Sequence, residues 1–122
     1  MQRLTSCFPA GTLALAGLML GCWSAPPTPV KPELVVGDYI YYDGSRLAHD
    51  PGRLTLSPDG TYVLYPAAGR PGSKAEGKWE VWNGSEYPYV SFANYAHPVL
   101  VRGERVRLLV NDDLGQWYEK IR

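Results

Sequence analysis

The sequence predicts an all-β domain, a small antiparallel meander of seven or eight strands that closes into a barrel. Residues 34–122 show no sustained helical periodicity. Short alternating runs recur there at the roughly 8–12-residue spacing typical of sandwiches and barrels, and turn residues separate them. So short a chain leaves no room for crossover helices, so neighbouring strands should pair in sequence. Closing the meander would also remove its exposed edges.

The clearest predicted element is a hairpin over residues 53–65. Leu54 and Leu56 share one face of its first strand, and Pro58-Asp59-Gly60 supplies the turn. A polar, glycine-rich loop is predicted over residues 67–75. The other predicted strands span residues 37–42, 77–82, 87–93, 99–101, 105–110 and 116–121.

The first 21 residues are predicted to be a signal peptide. One positive charge at Arg3 precedes an apolar run over residues 10–20 and then small residues, which is a secretory pattern. Two alternatives remain at this point. Residues 4–23 are uncharged and near the roughly 20-residue length of a transmembrane anchor, and ordinary secretion without an anchor is also compatible.

The motif Met19-Leu20-Gly21-Cys22 resembles the lipobox of bacterial lipoproteins, although that family usually has leucine where Met19 stands. The resemblance implies cleavage before Cys22, a diacylglyceryl thioether on its sulfur and a further acyl chain on its amine. Several chains are needed because one alone binds a membrane only marginally. In Gram-negative lipoproteins aspartate after the cysteine retains the protein in the inner membrane. Trp23 therefore implies an outer-membrane location facing the periplasm.

Residues 22–33 are predicted to be a proline-rich linker that joins this anchor to a domain over residues 34–122. Four prolines between residues 26 and 32 favour extended polyproline II structure. At about 3.1 Å per residue, such a segment would hold the domain roughly 30 Å from the lipid.

Charge and cysteine usage narrow the class of protein. The chain has 12 basic and 12 acidic residues, and removing residues 1–21 deletes only Arg3, which leaves 11 against 12. That balance disfavours nucleic acid as a partner. Both cysteines, Cys7 and Cys22, precede the predicted domain. The domain must therefore be stabilised by its core, by a metal or by a partner rather than by disulfides.

Three motifs are similar to a pattern in lipocalin-like bacterial lipoprotein domains. They are Gly37-Asp38-Tyr39, the run LTLSPDGTYVLY from Leu54, and Gly77-Lys78-Trp79-Glu80. In that family such motifs form successive walls of a small barrel, so the resemblance implies a lipocalin-like barrel. It ends at residue 80, and its turn glycines and wall aromatics indicate fold rather than function. The chain is also shorter than a full ligand-enclosing lipocalin.

Catalytic signatures are missing from the sequence, so we predict no enzyme and no cofactor. The domain has no Gly-x-Ser-x-Gly, no cysteine and no phosphate-binding glycine loop. His49, Asp50 and His97 could offer nitrogen and oxygen ligands to a metal, but no spacing brings them together, so no metal site is predicted. Turn roles account for the candidate carboxylates Asp43, Asp50, Asp59, Asp112 and Asp113.

Aromatic residues exceed what a small core needs, and they serve barrel walls and recognition surfaces equally well. Arg105 and Arg107 alternate with Val106 and Leu108, which predicts a solvated face. An anionic ligand, a lipid headgroup or an acidic partner is the alternative role for these arginines. The candidate binding residues are Tyr39, Tyr41, Trp79, Tyr87, Tyr89 and Trp117.

These observations predict a non-enzymatic envelope lipoprotein that binds a protein or a hydrophobic ligand at the outer membrane. One alternative is a periplasmic enzyme inhibitor or immunity protein, which would insert residues 84–87 or the 67–75 loop into an enzyme cleft. Another is an envelope metal-stress protein. The lipoprotein families that these alternatives resemble carry cysteines, which this domain lacks.

Overall fold

The computed structural model describes residues 22–27, 29–44, 46–47, 52–66, 74–84 and 87–122. The predicted signal peptide, most of the predicted 67–75 loop, His49 and Asp50 lie outside the described residues. No helix of the described part has the length and apolar character needed to cross a bilayer.

The described residues form one short helix and ten strands, and the strands are joined in a single antiparallel sheet. The helix is α1 (Pro32–Val35). Around the sheet the strands run in the order β5, β4, β3, β1, β10, β9, β8, β7, β6, and β2 pairs with β1 beside β3. The strands are β1 (Gly37–Asp43), β2 (Arg46–Leu47), β3 (Arg53–Leu56), β4 (Thr61–Tyr65), β5 (Ala75–Lys78), β6 (Glu80–Asn83), β7 (Pro88–Phe92), β8 (Tyr95–Arg102), β9 (Arg105–Asn111) and β10 (Gln116–Lys120).

The sheet is nearly closed into a barrel, because its two end strands are consecutive in the chain. Only Trp79 separates β5 from β6, and its N–H donates to the carbonyl of Gly60 at 2.9 Å. Before Trp79, β5 pairs with β4, and after Trp79, β6 pairs with β7. If β2 with β3 and β5 with β6 are each counted as one broken strand, the ten strands make eight walls. The predicted all-β meander is confirmed.

One strand begins earlier than predicted. The run expected over residues 99–101 is β8, which starts at Tyr95 after a turn at Ala93 and Asn94. Both turn residues have positive φ, 53° and 69°, without a glycine to signal the turn. Pro98 also favoured a loop, but the strand accommodates it opposite Tyr89.

Among the described residues, the core of the barrel is packed with side chains. Inward positions follow the two-residue alternation of the strands. Tyr62 and Phe92 add an aromatic pair with ring centroids 5.4 Å apart. A void large enough to hold water would expose part of the surface of the side chains that line it. Several interior side chains have no accessible surface. These are Tyr39, Leu54, Leu56, Val90, Val99 and Leu108.

Helix α1 lies at the end of the barrel where β1 begins. Its last residue, Val35, is fully buried, and the Tyr39 hydroxyl donates to the Val35 carbonyl at 2.6 Å. Lys120 Nζ donates to the Leu34 carbonyl at 2.9 Å. The single turn of helix is thus held by the first and last strands of the chain.

The residues before α1, which we call the strap (22–27 and 29–31), pack on the barrel. Ser24 and Val101 exchange two backbone hydrogen bonds of 3.0 and 2.8 Å. The Val30 N–H donates to Asn83 Oδ1 at 2.8 Å, and the Val30 side chain is buried. The sequence predicts an extended spacer here; the described residues of the strap have no regular structure apart from the Ser24 bridge, but they pack on the barrel instead of projecting from it. Proline prevents regular structure but leaves the remaining N–H groups able to pair with a strand edge.

Candidate functional site on the outer wall of the barrel

A second buried cluster lies outside the barrel, against β1, β8, β9 and β10. Strand alternation points these side chains away from the interior, and Trp23 of the strap covers them. We call it the outer-wall cluster, and it comprises Trp23, Tyr42, Tyr87, Leu100, Arg107, Leu109, Trp117 and Glu119.

The cluster is organised as a stack around the guanidinium group of Arg107. The guanidinium carbon lies 4.0 Å from the Trp23 ring centroid and 4.1 Å from the Trp117 ring centroid. Trp117 stacks in turn on Tyr42, with centroids 5.4 Å apart and planes 8° apart. A planar cation between two indoles is attracted electrostatically and covers apolar surface at the same time.

Glu119 lies beside this stack and binds three donors. Its carboxylate accepts hydrogen bonds from Arg105, from Arg107 Nε at 2.9 Å and from Trp117 Nε1 at 3.0 Å. Burial alone would raise the pKa of Glu119, but these hydrogen bonds together outweigh it and lower the pKa below its ordinary value. The carboxylate is therefore ionised at neutral pH and fixes both arginines.

The six candidate binding residues do not form one site. Tyr39 and Tyr41 lie on the inward face of β1, and Trp79 is buried at the break between β5 and β6. Tyr87 and Tyr89 pair on the outside with ring centroids 4.9 Å apart, and of the six only Tyr87 and Trp117 belong to the outer-wall cluster.

Five members of the cluster are absent from the sequence prediction. Trp23 is assigned there to a spacer, and the others are not singled out: Tyr42, Leu100, Leu109 and Glu119. The alternation along β1 and β10 could have placed Tyr42 and Glu119 on the outward face, since each adjoins an inward tyrosine. No local signal indicates that Trp23 packs against Arg107.

His97 lies in β8, although the sequence prediction leaves it between the strands over residues 87–93 and 99–101, and its ring is buried. It stacks on Phe92 with centroids 4.5 Å apart and meets Tyr118 edge-on at 6.2 Å. Its Nδ1–H donates to the Leu109 carbonyl at 3.0 Å. Burial lowers the pKa of His97, and this hydrogen bond only partly opposes that effect. The imidazole is therefore neutral at pH 7 and serves as a core side chain.

An open groove of about 480 Å³ lies between the strap, the β3–β4 turn and β6. It carries two carboxylates, Asp59 and Glu80, but Asp59 accepts hydrogen bonds from Thr61 N and Oγ1 at 3.0 and 2.6 Å. Asp59 therefore serves the turn, as predicted. The groove is lined by Val30, Pro32, Pro58, Asp59, Gly60, Trp79, Glu80, Val81 and Asn83.

Two observations bear on the other predicted roles. In the part of the chain that the structure describes, no three His, Cys, Asp or Glu side chains are grouped so as to hold a metal. Cys22 is disulfide-bonded in the structure. Cleavage before Cys22 would remove Cys7.

No protein-family model, curated protein or solved structure matches this chain.

Proposed function

We propose that this chain is an exported lipoprotein of the bacterial outer membrane, anchored through Cys22, whose barrel binds a protein and catalyses no reaction. The anchor is supported by the apolar N-terminal run and by Met19-Leu20-Gly21-Cys22. The chain's own residues support recognition rather than chemistry, because the buried carboxylate and the buried imidazole are both engaged in structural hydrogen bonds.

The packed core of the described residues is the observation that carries the choice of a protein over a hydrophobic ligand. Ligand sites in barrels are cavities, whereas several described core side chains of this barrel have no accessible surface. We infer that recognition uses the outside of the barrel. Tyr65 on β4 and Trp82 on β6 are exposed there, and tyrosine and tryptophan are residue types enriched at protein interfaces.

The anchor is tested by the intact mass of the protein extracted from bacterial membranes with detergent and measured under denaturing conditions. We expect a chain that begins at Cys22 and carries a diacylglyceryl group and one further acyl chain. In the Cys22→Ala variant the acyl masses should be lost and the chain should remain uncleaved.

A Cys7→Ser variant is the matched control. It removes the only possible intramolecular disulfide partner of Cys22 and, on our proposal, leaves the acylated mass unchanged, because Cys7 is absent from the mature chain. A full-length wild-type chain lighter than its reduced form by two hydrogens would mean that Cys22 keeps its disulfide. That result would contradict the proposed anchor.

A further inference from the structure

The position of the strap fixes where an anchor at Cys22 would leave the barrel. Trp23, the next residue, packs on Arg107, and Ser24 pairs with Val101. Consecutive Cα atoms are about 3.8 Å apart. Acyl chains on Cys22 would therefore begin one residue from the outer wall, and not at the far end of a ten-residue spacer.

The wall beside this point is basic. The guanidinium carbons of Arg102 and Arg105 each lie 5.4 Å from the Trp23 ring centroid, and the Arg105 side chain is 51% exposed. Glu119 is buried and paired with Arg105 and Arg107, whereas Glu104 is exposed in the turn between β8 and β9. Among these described side chains, three guanidinium groups outnumber two carboxylates and leave a net positive charge.

This combination of groups matches the headgroup layer of a membrane. Arginine binds phosphate oxygens through two parallel hydrogen bonds. Tryptophan and tyrosine place an apolar ring and a polar tip at the boundary between lipid and water. Basic side chains are attracted to anionic lipid within a Debye length of the surface.

We infer that the outer-wall cluster, with Arg102 and Arg105, lies against the phosphate layer of the membrane that holds the anchor. This inference rests on the proposed lipidation of Cys22. The barrel then lies on its β8–β10 side rather than hanging from a flexible tether. In the ring of eight walls, β5 with β6 lies opposite β10, so Trp82, which is 57% exposed, faces away from the lipid. That far side remains open to a protein partner.

The four tryptophans of the chain provide the test, because they are distributed between the two sides. The acylated protein, containing 5-fluorotryptophan, is placed in lipid nanodiscs with and without a gadolinium-chelating headgroup. Single Trp→Phe variants assign the four fluorine resonances. We expect paramagnetic broadening to be strongest for Trp23, weaker for Trp117 and weakest for Trp82.

A matched pair of charge reversals tests the arginines. The double variant Arg102→Glu with Arg105→Glu should reduce the broadening of Trp23 at least about twofold. The control, Arg53→Glu with Lys78→Glu, reverses two exposed charges on β3 and β5 and should leave that broadening unchanged.

Equal broadening of Trp23 and Trp82 would overturn the inference, because it would show a barrel that tumbles freely on its anchor. Unchanged broadening of Trp23 in the Arg102→Glu, Arg105→Glu variant would overturn the role of these arginines. The mass of the protein is measured before reconstitution. If acyl chains are absent, the proposed function fails; if they are present and the broadening is equal, only the membrane-facing wall fails.

Discussion

At the level of single residues, the outer wall depends on one carboxylate. Glu119 accepts hydrogen bonds from Arg105, Arg107 and Trp117, and so connects all three side chains of the wall. Since the residue is only 6% exposed, removing its charge leaves the nearby guanidinium groups without an anionic partner.

We predict that Glu119→Gln lowers the free energy of unfolding at pH 7 by about 1–2 kcal/mol. Charge-assisted hydrogen bonds contribute more than this, but the half-exposed Arg105 is screened by solvent. Because the pKa of Glu119 is lowered in the folded state, its contribution is present above the unfolded pKa of about 4.3 and is lost as pH falls through the native value.

Urea unfolding at pH 7 and at pH 3 measures this effect. The difference between wild type and Glu119→Gln should shrink at the lower pH. The control Glu80→Gln changes an exposed glutamate on β6 and should alter stability little at either pH. Equal stability of Glu119→Gln and wild type at pH 7 would show that the carboxylate does not stabilise the wall.

The buried imidazole of His97 gives a second prediction. Its pKa is lowered by burial, so below about pH 6.5 the unfolded chain binds a proton that the folded chain excludes. Stability therefore falls as the pH decreases from 7 through the native pKa. The variant His97→Gln, which can still donate to the Leu109 carbonyl, should lose less stability than wild type between pH 7 and pH 5. Denaturant midpoints at the two pH values check this, and parallel losses in both proteins would refute it.

At the level of elements, the strap is held by backbone pairing with the edge of β8. The β7–β8 pairing ends at Pro98, which leaves Val101 free to pair with Ser24. The strap thus adds a short bridge where the sheet edge would otherwise be open.

Replacing Ser24 by proline should detach this bridge, because proline has no N–H to donate to the Val101 carbonyl. The matched variant Ser24→Ala keeps both backbone bonds. We expect the Val101 amide, which donates to the Ser24 carbonyl, to exchange with deuterium about tenfold faster in Ser24→Pro than in Ser24→Ala. Identical exchange rates would mean that the strap does not protect β8.

The same elements show where sequence reasoning succeeds. The 53–65 hairpin was predictable because its turn, Pro58-Asp59-Gly60, consists of residue types that favour turns, and Gly60 adopts a positive φ of 89° there. The turn at Ala93 and Asn94 has one turn-favouring residue, Asn94, and no glycine, so the start of β8 was missed. The strap was missed because local composition reports the absence of regular structure but not a distant strand edge.

At the level of the whole molecule, alternation predicts which side of a strand a residue faces but not which walls become neighbours. Tyr42 and Trp117 stack only because β1 and β10, from opposite ends of the domain, pair to close the barrel. The sequence therefore predicts the six candidate aromatics as one set, but the barrel places some of them on its interior and others on its exterior. The fold was predictable from the sequence, whereas the outer-wall cluster required the closed structure.

The central proposal is that an anchored barrel with a packed core acts through its outer surface. Native mass spectrometry of the acylated protein, released from detergent micelles, tests it most directly. We predict that the native mass of the monomer equals its denatured mass. Any additional species should be heavier by the mass of a whole partner protein. A native mass that exceeds the denatured mass by one small apolar molecule, lost on unfolding, would contradict the claim and identify a ligand-binding barrel.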